Sequence, residues 1–336
     1  MLPRPLLTTT FALPYRKIPI LTIAREIYCD TSLIIEALEH FFPASPTGPY
    51  GTIYPPPTSS STTDTLAPWI YRGLARGFAS FWTDRPLFRA TTGLIPAQVW
   101  ETEFGVDRAG LIGHAIDAEK IGRKRGEMLA SLDLHLSLLE PSLAGGEGAW
   151  AMPTREPSLA DVSLWYQIRW GVDIARGRGV YNLTAGGAQE GGKGEDEEGV
   201  GSVFNESRYP GVWRWFHEFE AWIEGLPDRE TRGEGTTAAE LAEVLNSADG
   251  LDEKELLVPA AAEPHTFLDE QRGLVPGALV SVAPDDTGRD FPTVGHLVKI
   301  GVEEVVIRPA EKGVVQGRIH FPRLGFVVRV VEGARL

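Results

Sequence analysis

The spacing of hydrophobic positions changes character three times along the chain. Between residues 13 and 42 two short apolar runs, "IPILTI" and "EIYC", flank Ala24-Arg25 and are followed by "DTSLIIEALE". Two such runs joined by a tight connection predict a hairpin of Ile20–Ile23 and Glu26–Cys29. Pro19 stands just ahead of the first strand, where a residue without an N–H is tolerated. Asp30 and Thr31 are N-cap residue types. Leu33, Ile34, Ala37 and Leu38 then recur on one face, which predicts a helix.

From about residue 66 to 226 helical spacing takes over. "APWIYRGLARGFASFW" predicts a helix with Trp69, Leu74, Phe78 and Phe81 inward. Leu129, Leu132, Leu136 and Leu139 form one apolar face in a second. "PSLADVSLWYQIRWG" and "YPGVWRWFHEFEAWIEGL" are further helices, the last with Trp213, Phe216, Phe219 and Ile223, or their neighbours, toward a core. From about Phe267 the runs shorten to five to seven Val/Ile-rich residues cut by Gly, Pro and Asp-Asp: "GALVSVAP", "GHLVKIG", "EEVVIRP", "GRIHFP" and "GFVVRVV". These predict a small antiparallel β-module.

The stretches between these zones set the expected organisation. Residues 43–65 are rich in Pro, Ser, Thr and Gly and read as a linker or surface loop. Residues 184–202 are an acidic, Gly-rich insert with too little apolar surface to order itself. Residues 227–266 read as a second linker holding one short helix, "TTAAELAEVLNSAD". The expected domains are therefore 1–42, 66–226 and 267–332.

Composition narrows the function classes. A formal net charge of -14 over 336 residues argues against nucleic acid or an anionic membrane as the main partner. It leaves room for a small anionic ligand at a local site. One cysteine, Cys29, permits no internal disulfide, and the expectation is a cytoplasmic protein. The seven histidines show no zinc-ligand spacing, so no metal is expected.

The start of the predicted helix at Asp30 carries the most specific chemistry. A helix N-terminus offers free N–H groups and partial positive charge to a carboxylate, and an adjacent Asp can hold an ammonium. That pairing fits the α-amino-acid end of a small ligand. The same two residues also serve as plain caps, and residue chemistry alone leaves both readings open.

The segment "RKIPILTI…EIYCDTSLIIEALE" resembles the second half of the thioredoxin-like N-terminal domain of glutathione S-transferases. The resemblance spans roughly residues 1–226 and is nearest to fungal transferase-like proteins with an extra C-terminal domain. It implies a partial thioredoxin-like α/β domain followed by an all-α transferase C-terminal domain, ahead of the β-module. It implies that Pro19 is a cis-proline, that the backbone of Ile18 pairs with the cysteinyl part of glutathione, and that Asp30 and Thr31 bind its γ-glutamyl end. Arg16 or Lys17 would approach the glycyl carboxylate. Tyr71 and Trp82 would line a pocket for a hydrophobic co-substrate. Ser158 and Asp161 match the family's capping box, a structural motif in which Asp161 bonds back to the Ser158 N–H. A homodimer is the family's common state.

The family's first β-α-β unit, which carries the residue that activates the sulfur, has no counterpart in this sequence. The catalytic residue is therefore unknown, and the expectation is a misassigned start or a lost upstream exon. Without that unit Ile20–Ile23 becomes an apolar edge strand. Cys29, beside the Asp30 carboxylate, reads as a buried structural cysteine, since such a neighbour raises its pKa. Two functions follow: a transferase-like enzyme that binds glutathione and adds it to a hydrophobic electrophile, or a non-catalytic scaffold acting through the β-module. A glutathione-dependent isomerase or reductase is a weaker third, for which Cys29 is a poor thiol.

Overall fold

The computed structural model describes residues 4, 6–15, 17–45, 47–58, 67–175, 199–227 and 236–331, with no side-chain detail at 67–70 and 175. Two compact units emerge. A helical unit is built from residues within 52–109 and 115–229, and a sheet unit from residues within 2–51, 110–114 and 230–336.

The helical unit contains α2 (Ala67–Gly77), a π-helical stretch Phe78–Leu87, α3 (Phe88–Thr92), α4 (Arg125–Leu143), α5 (Leu159–Ala175) and α6 (Pro210–Glu224). In α4 the leucine face is buried at Leu132, Leu136 and Leu139, with Leu129 at the core's margin. In α6 the buried set is Val212, Trp215, Phe216 and Phe219, and Trp213 and Ile223 pack partly against it. Trp215, a neighbour of Trp213, is the fully buried tryptophan of this face.

The first helix departs further from its expected face. Leu74 and Phe81 are 58% and 53% exposed, while Ala75, Thr83 and Leu87 are buried. Past Gly77 the chain closes i→i+5 turns, so a 3.6-residue count loses phase before Phe81; Leu74, still within α2, is simply on its outer face. Phe78 does pack on the core. The side chain of Trp69 lies outside the described residues.

Two stretches read as linkers are anchored. Within 43–65, Thr58 N–H donates to the Pro153 carbonyl at 2.9 Å, and Leu159 N–H donates to that of Ile53 at 2.9 Å. Tyr54 is buried beneath the Arg72 guanidinium, 4.7 Å from the ring centre. Proline removes donors but leaves carbonyls free to accept, so a Pro-rich segment can still be tied down. Within 227–266, α7 (Ala238–Ser247) starts with a Thr237–Glu240 capping box and buries Ala242 and Leu245 in the sheet unit's core. Residues 184–198 of the acidic insert lie outside the described residues; Val200–Val203 is a short helix with Val200 buried.

The sheet unit holds β1 (Ile20–Ile23), β2 (Glu26–Cys29), α1 (Thr31–Phe41), then β3 (Leu279–Pro284), β4 (Thr293–Ile300), β5 (Glu304–Pro309), β6 (Arg318–Pro322) and β7 (Phe326–Val330). Among the described residues these strands form one sheet in the order β1-β2-β6-β5-β4-β3-β7. The hairpin and the C-terminal strands, separate modules in the sequence reading, are therefore parts of one sheet. The seam is parallel, with Glu26 opposite Arg318, Ile27 opposite Ile319 and Tyr28 opposite His320. Every other strand pair is antiparallel. β1 is an outer strand, and its four residues are half-buried.

Alternation sorts side chains at the seam. Ile27, Cys29, Ile319 and Phe321 enter a core with Val280, Val282, Leu297, Val305 and Ile307. Tyr28 lies in a second cluster with Leu33, Ile34 and Ala37 of α1. Leu38, expected inward, is 40% exposed.

Candidate functional site

The β1–β2 register pairs Ile20 with Cys29. Pro19 and Asp30, each one residue beyond that pair, therefore stand at the same end of the hairpin. The Ile18–Pro19 peptide is cis. Ile18, Pro19 and Thr31 are exposed, and Asp30 is half-buried. Asp30 is the N-cap of α1: its Oδ1 accepts the Ser32 N–H at 3.0 Å and the Ser32 hydroxyl at 2.6 Å. The fold thus brings the four predicted residues to one accessible place. Ser32 supplies the hydroxyl that engages Asp30.

Two titratable neighbours of this place, Tyr15 and Cys29, are held in their neutral forms. The Tyr15 hydroxyl, 3.5 Å from Asp30 Oδ2, is pushed far up by burial and then by the Asp30 charge. Burial and Asp30 also push up the Cys29 thiol, as the sequence reading anticipates. Neither group is poised to supply negative charge. Lys17 is engaged with Asp286, Nζ to Oδ1 at 2.9 Å. Arg16 lies outside the described residues.

At the other end of the same strands lies a buried charge network that sequence reasoning missed. His320 is fully buried between two buried carboxylates. Its Nε2 is 2.9 Å from Glu26 Oε2 and its Nδ1 is 2.5 Å from Glu304 Oε1. Both ring nitrogens face carboxylate oxygens, so each carries a proton and the ring is an imidazolium. Burial opposes that charge, but the hydrogen bonds to the two glutamates prevail and raise its pKa. Arg318 closes on Glu26 with its Nε at 2.8 Å from Oε2 and its Nη2 on Oε1. Burial would raise the Glu26 pKa, yet the bonds from His320 and Arg318 hold it at about 2.

The remaining acceptors reach the loop that follows α7. Glu26 Oε1 accepts the Leu251 N–H at 3.2 Å, and Glu304 Oε2 accepts that of Val258 at 2.8 Å. Tyr28 stacks on His320 with ring centres 4.3 Å apart. Two carboxylates balance two cations, and each of the four is engaged by another member of the network. The network is a clamp between β2, β6 and β5. Among the described residues no group of three or more His, Cys, Asp or Glu is arranged to hold a metal ion. The available signal was the polar alternation of Glu26, Arg318 and His320 inside apolar strands, a pattern that marks buried polar groups needing partners.

In the helical unit Asp161 is a buried hub. Its Oδ2 accepts the Ser158 N–H and hydroxyl, each at 2.8 Å, and its Oδ1 accepts Ala151 N–H at 2.6 Å and Trp215 Nε1–H at 2.9 Å. It ties the start of α5 to α6. Trp82 donates its indole N–H to His135 Nδ1 at 2.9 Å and packs on Phe78, ring centres 4.5 Å apart. Tyr71 is half-buried on α2.

Among known proteins, a family described as a domain of unknown function (DUF7962) matches residues 90–179. No curated protein matches the chain. Among solved structures, a GST-like protein from Pseudomonas syringae is similar, at 23% identity and a TM-score of 0.52. That match covers 98% of this chain and 87% of the other. The fold is GST-like. No helix among the described residues is long and apolar enough to cross a membrane.

Proposed function

We propose that the protein binds glutathione at the Pro19–Asp30 end of the hairpin. One observation carries the reading: the β1–β2 register brings Ile18 and Pro19 beside Asp30 and Thr31 at the N-terminus of α1. The Asp30 carboxylate suits the γ-glutamyl ammonium, the first turn of α1 suits its carboxylate, and the Ile18 backbone suits the cysteinyl unit. The co-substrate class is a hydrophobic electrophile. The test is calorimetry with reduced glutathione on the full chain. Saturable binding is expected, and Asp30→Asn, which keeps an N-cap side chain but removes its charge, should abolish it. No binding at millimolar glutathione would overturn the proposal.

A second reading, binding without conjugation, draws on Tyr15. Its buried hydroxyl donates toward Asp30 Oδ2 at 3.5 Å, so that donor is directed at the carboxylate and not at a ligand sulfur. Conjugation of a model electrophile by the full chain, lost in Asp30→Asn, would decide for the enzyme.

A further inference from the structure

A cavity of about 490 Å³ opens in the sheet unit where the β1–β2 turn meets the β5–β6 connection. Pro19 and Asp30 lie at the opposite end of the same hairpin, about 13 Å away for four residues at strand rise. The cavity is thus separate from the glutathione reading. Its volume lies within the usual range for small-molecule sites.

The charges around it are uneven. Arg25, Arg308, Lys312 and Arg318 line it against Glu26 and Glu311, an excess of two positive charges in a chain whose net charge is -14. The acid at the floor is already engaged: Glu26 is held by Arg318 and His320. Among the described residues the Nε of Arg25 is buried with no hydrogen-bond partner. Arg25 therefore lines the cavity with donor capacity that its Nε does not spend on an internal acceptor. Gly250 keeps the space open. A Cβ there would sit 3.3 Å from Arg318 Nη2, 3.5 Å from Glu26 Oε1 and 3.7 Å from Arg25 Nη2, so two guanidiniums and one carboxylate oxygen converge on its bare Cα. Arg308 and Lys312 are exposed at the rim.

From this geometry we infer that the cavity binds a small molecule carrying two or more phosphate or carboxylate groups. Arg25 provides the planar fork that matches an oxyanion. Arg308 and Lys312 neutralise the ligand's outer charge. Glu311 at the rim opposes binding, and the preference for ligands of at least two negative charges comes from the several cations that line the cavity.

The test uses the full chain with pyrophosphate and with citrate, each against sodium chloride at equal ionic strength, read by calorimetry and thermal shift. At least one of the two should bind saturably at one site, and which one binds tells phosphate from carboxylate recognition. Arg25→Gln should weaken binding about tenfold, the loss of a charge-assisted hydrogen bond. The double variant Arg308→Gln/Lys312→Gln, at exposed positions that leave the fold intact, should also weaken it. Asp30→Asn should leave it unchanged. The inference is overturned if neither anion exceeds the salt control, or if affinity is unchanged in both the Arg25 and the rim variants.

Discussion

The two ends of one short hairpin do opposite things with carboxylates. At the Pro19 end, Asp30 is half-buried, caps α1 and keeps Oδ2 open to little but a long contact with Tyr15. At the turn end, Glu26 is fully buried and both its oxygens are saturated by Arg318, His320 and backbone. The first arrangement leaves charge available to a ligand; the second uses charge to hold strands together. A carboxylate's role is thus set by whether its partners are internal, not by its place in a motif.

The largest test of that contrast is His320→Ala. It leaves Glu26 and Glu304 facing each other in a dry interior with one cation removed, and breaking a buried network this way costs about 3–5 kcal/mol. Denaturant unfolding would measure it. A loss below about 1 kcal/mol, the scale of one ordinary hydrogen bond, would show that the network is solvated and the contrast false.

Next in size is the pH dependence. The Glu26 pKa falls from 4.5 in the unfolded chain to about 2 in the fold. Its contribution is present above pH 4.5 and lost as pH drops toward 2, on the order of 3 kcal/mol. The His320 pKa is raised, so its contribution is full below the ordinary histidine range and lost as pH rises through the folded value. Stability should therefore decline on both sides, and His320→Ala should flatten the alkaline limb.

The hairpin, the α1 N-cap, the leucine face of α4 and the C-terminal strands were all legible, because each rests on contacts close in sequence. The seam was not. Glu26 and His320 meet across 294 positions, and no local period encodes which edge β6 will join. The anchored linkers were missed for a related reason: carbonyls that accept bonds leave no trace in residue type. At the Asp30 end, residue types marked the N-cap of α1, but the partner hydroxyl of Ser32 needed the backbone's turn to be seen.

A smaller effect is expected at the open end. Asp30→Ala removes the N-cap acceptor and should cost about 1 kcal/mol, whereas Asp30→Asn should cost a few tenths. The two variants separate capping from charge. If both lose glutathione binding equally, charge is the cause; if only alanine loses it, the helix start is.

The smallest stability effect belongs to Lys17 and Asp286, a solvent-exposed pair at 2.9 Å whose loss should change stability by at most about 0.5 kcal/mol. Its value lies in binding instead. If Lys17 takes the glycyl carboxylate of glutathione, Asp286 competes for it. Asp286→Asn should then free Lys17 and tighten glutathione binding about two- to threefold, an amount that a weak surface pair can supply. Lys17→Ala should weaken binding, and the effect of Asp286→Asn should vanish in that background. A tightening that persists without Lys17 would place the glycyl end elsewhere and confine the open end of the hairpin to the γ-glutamyl group.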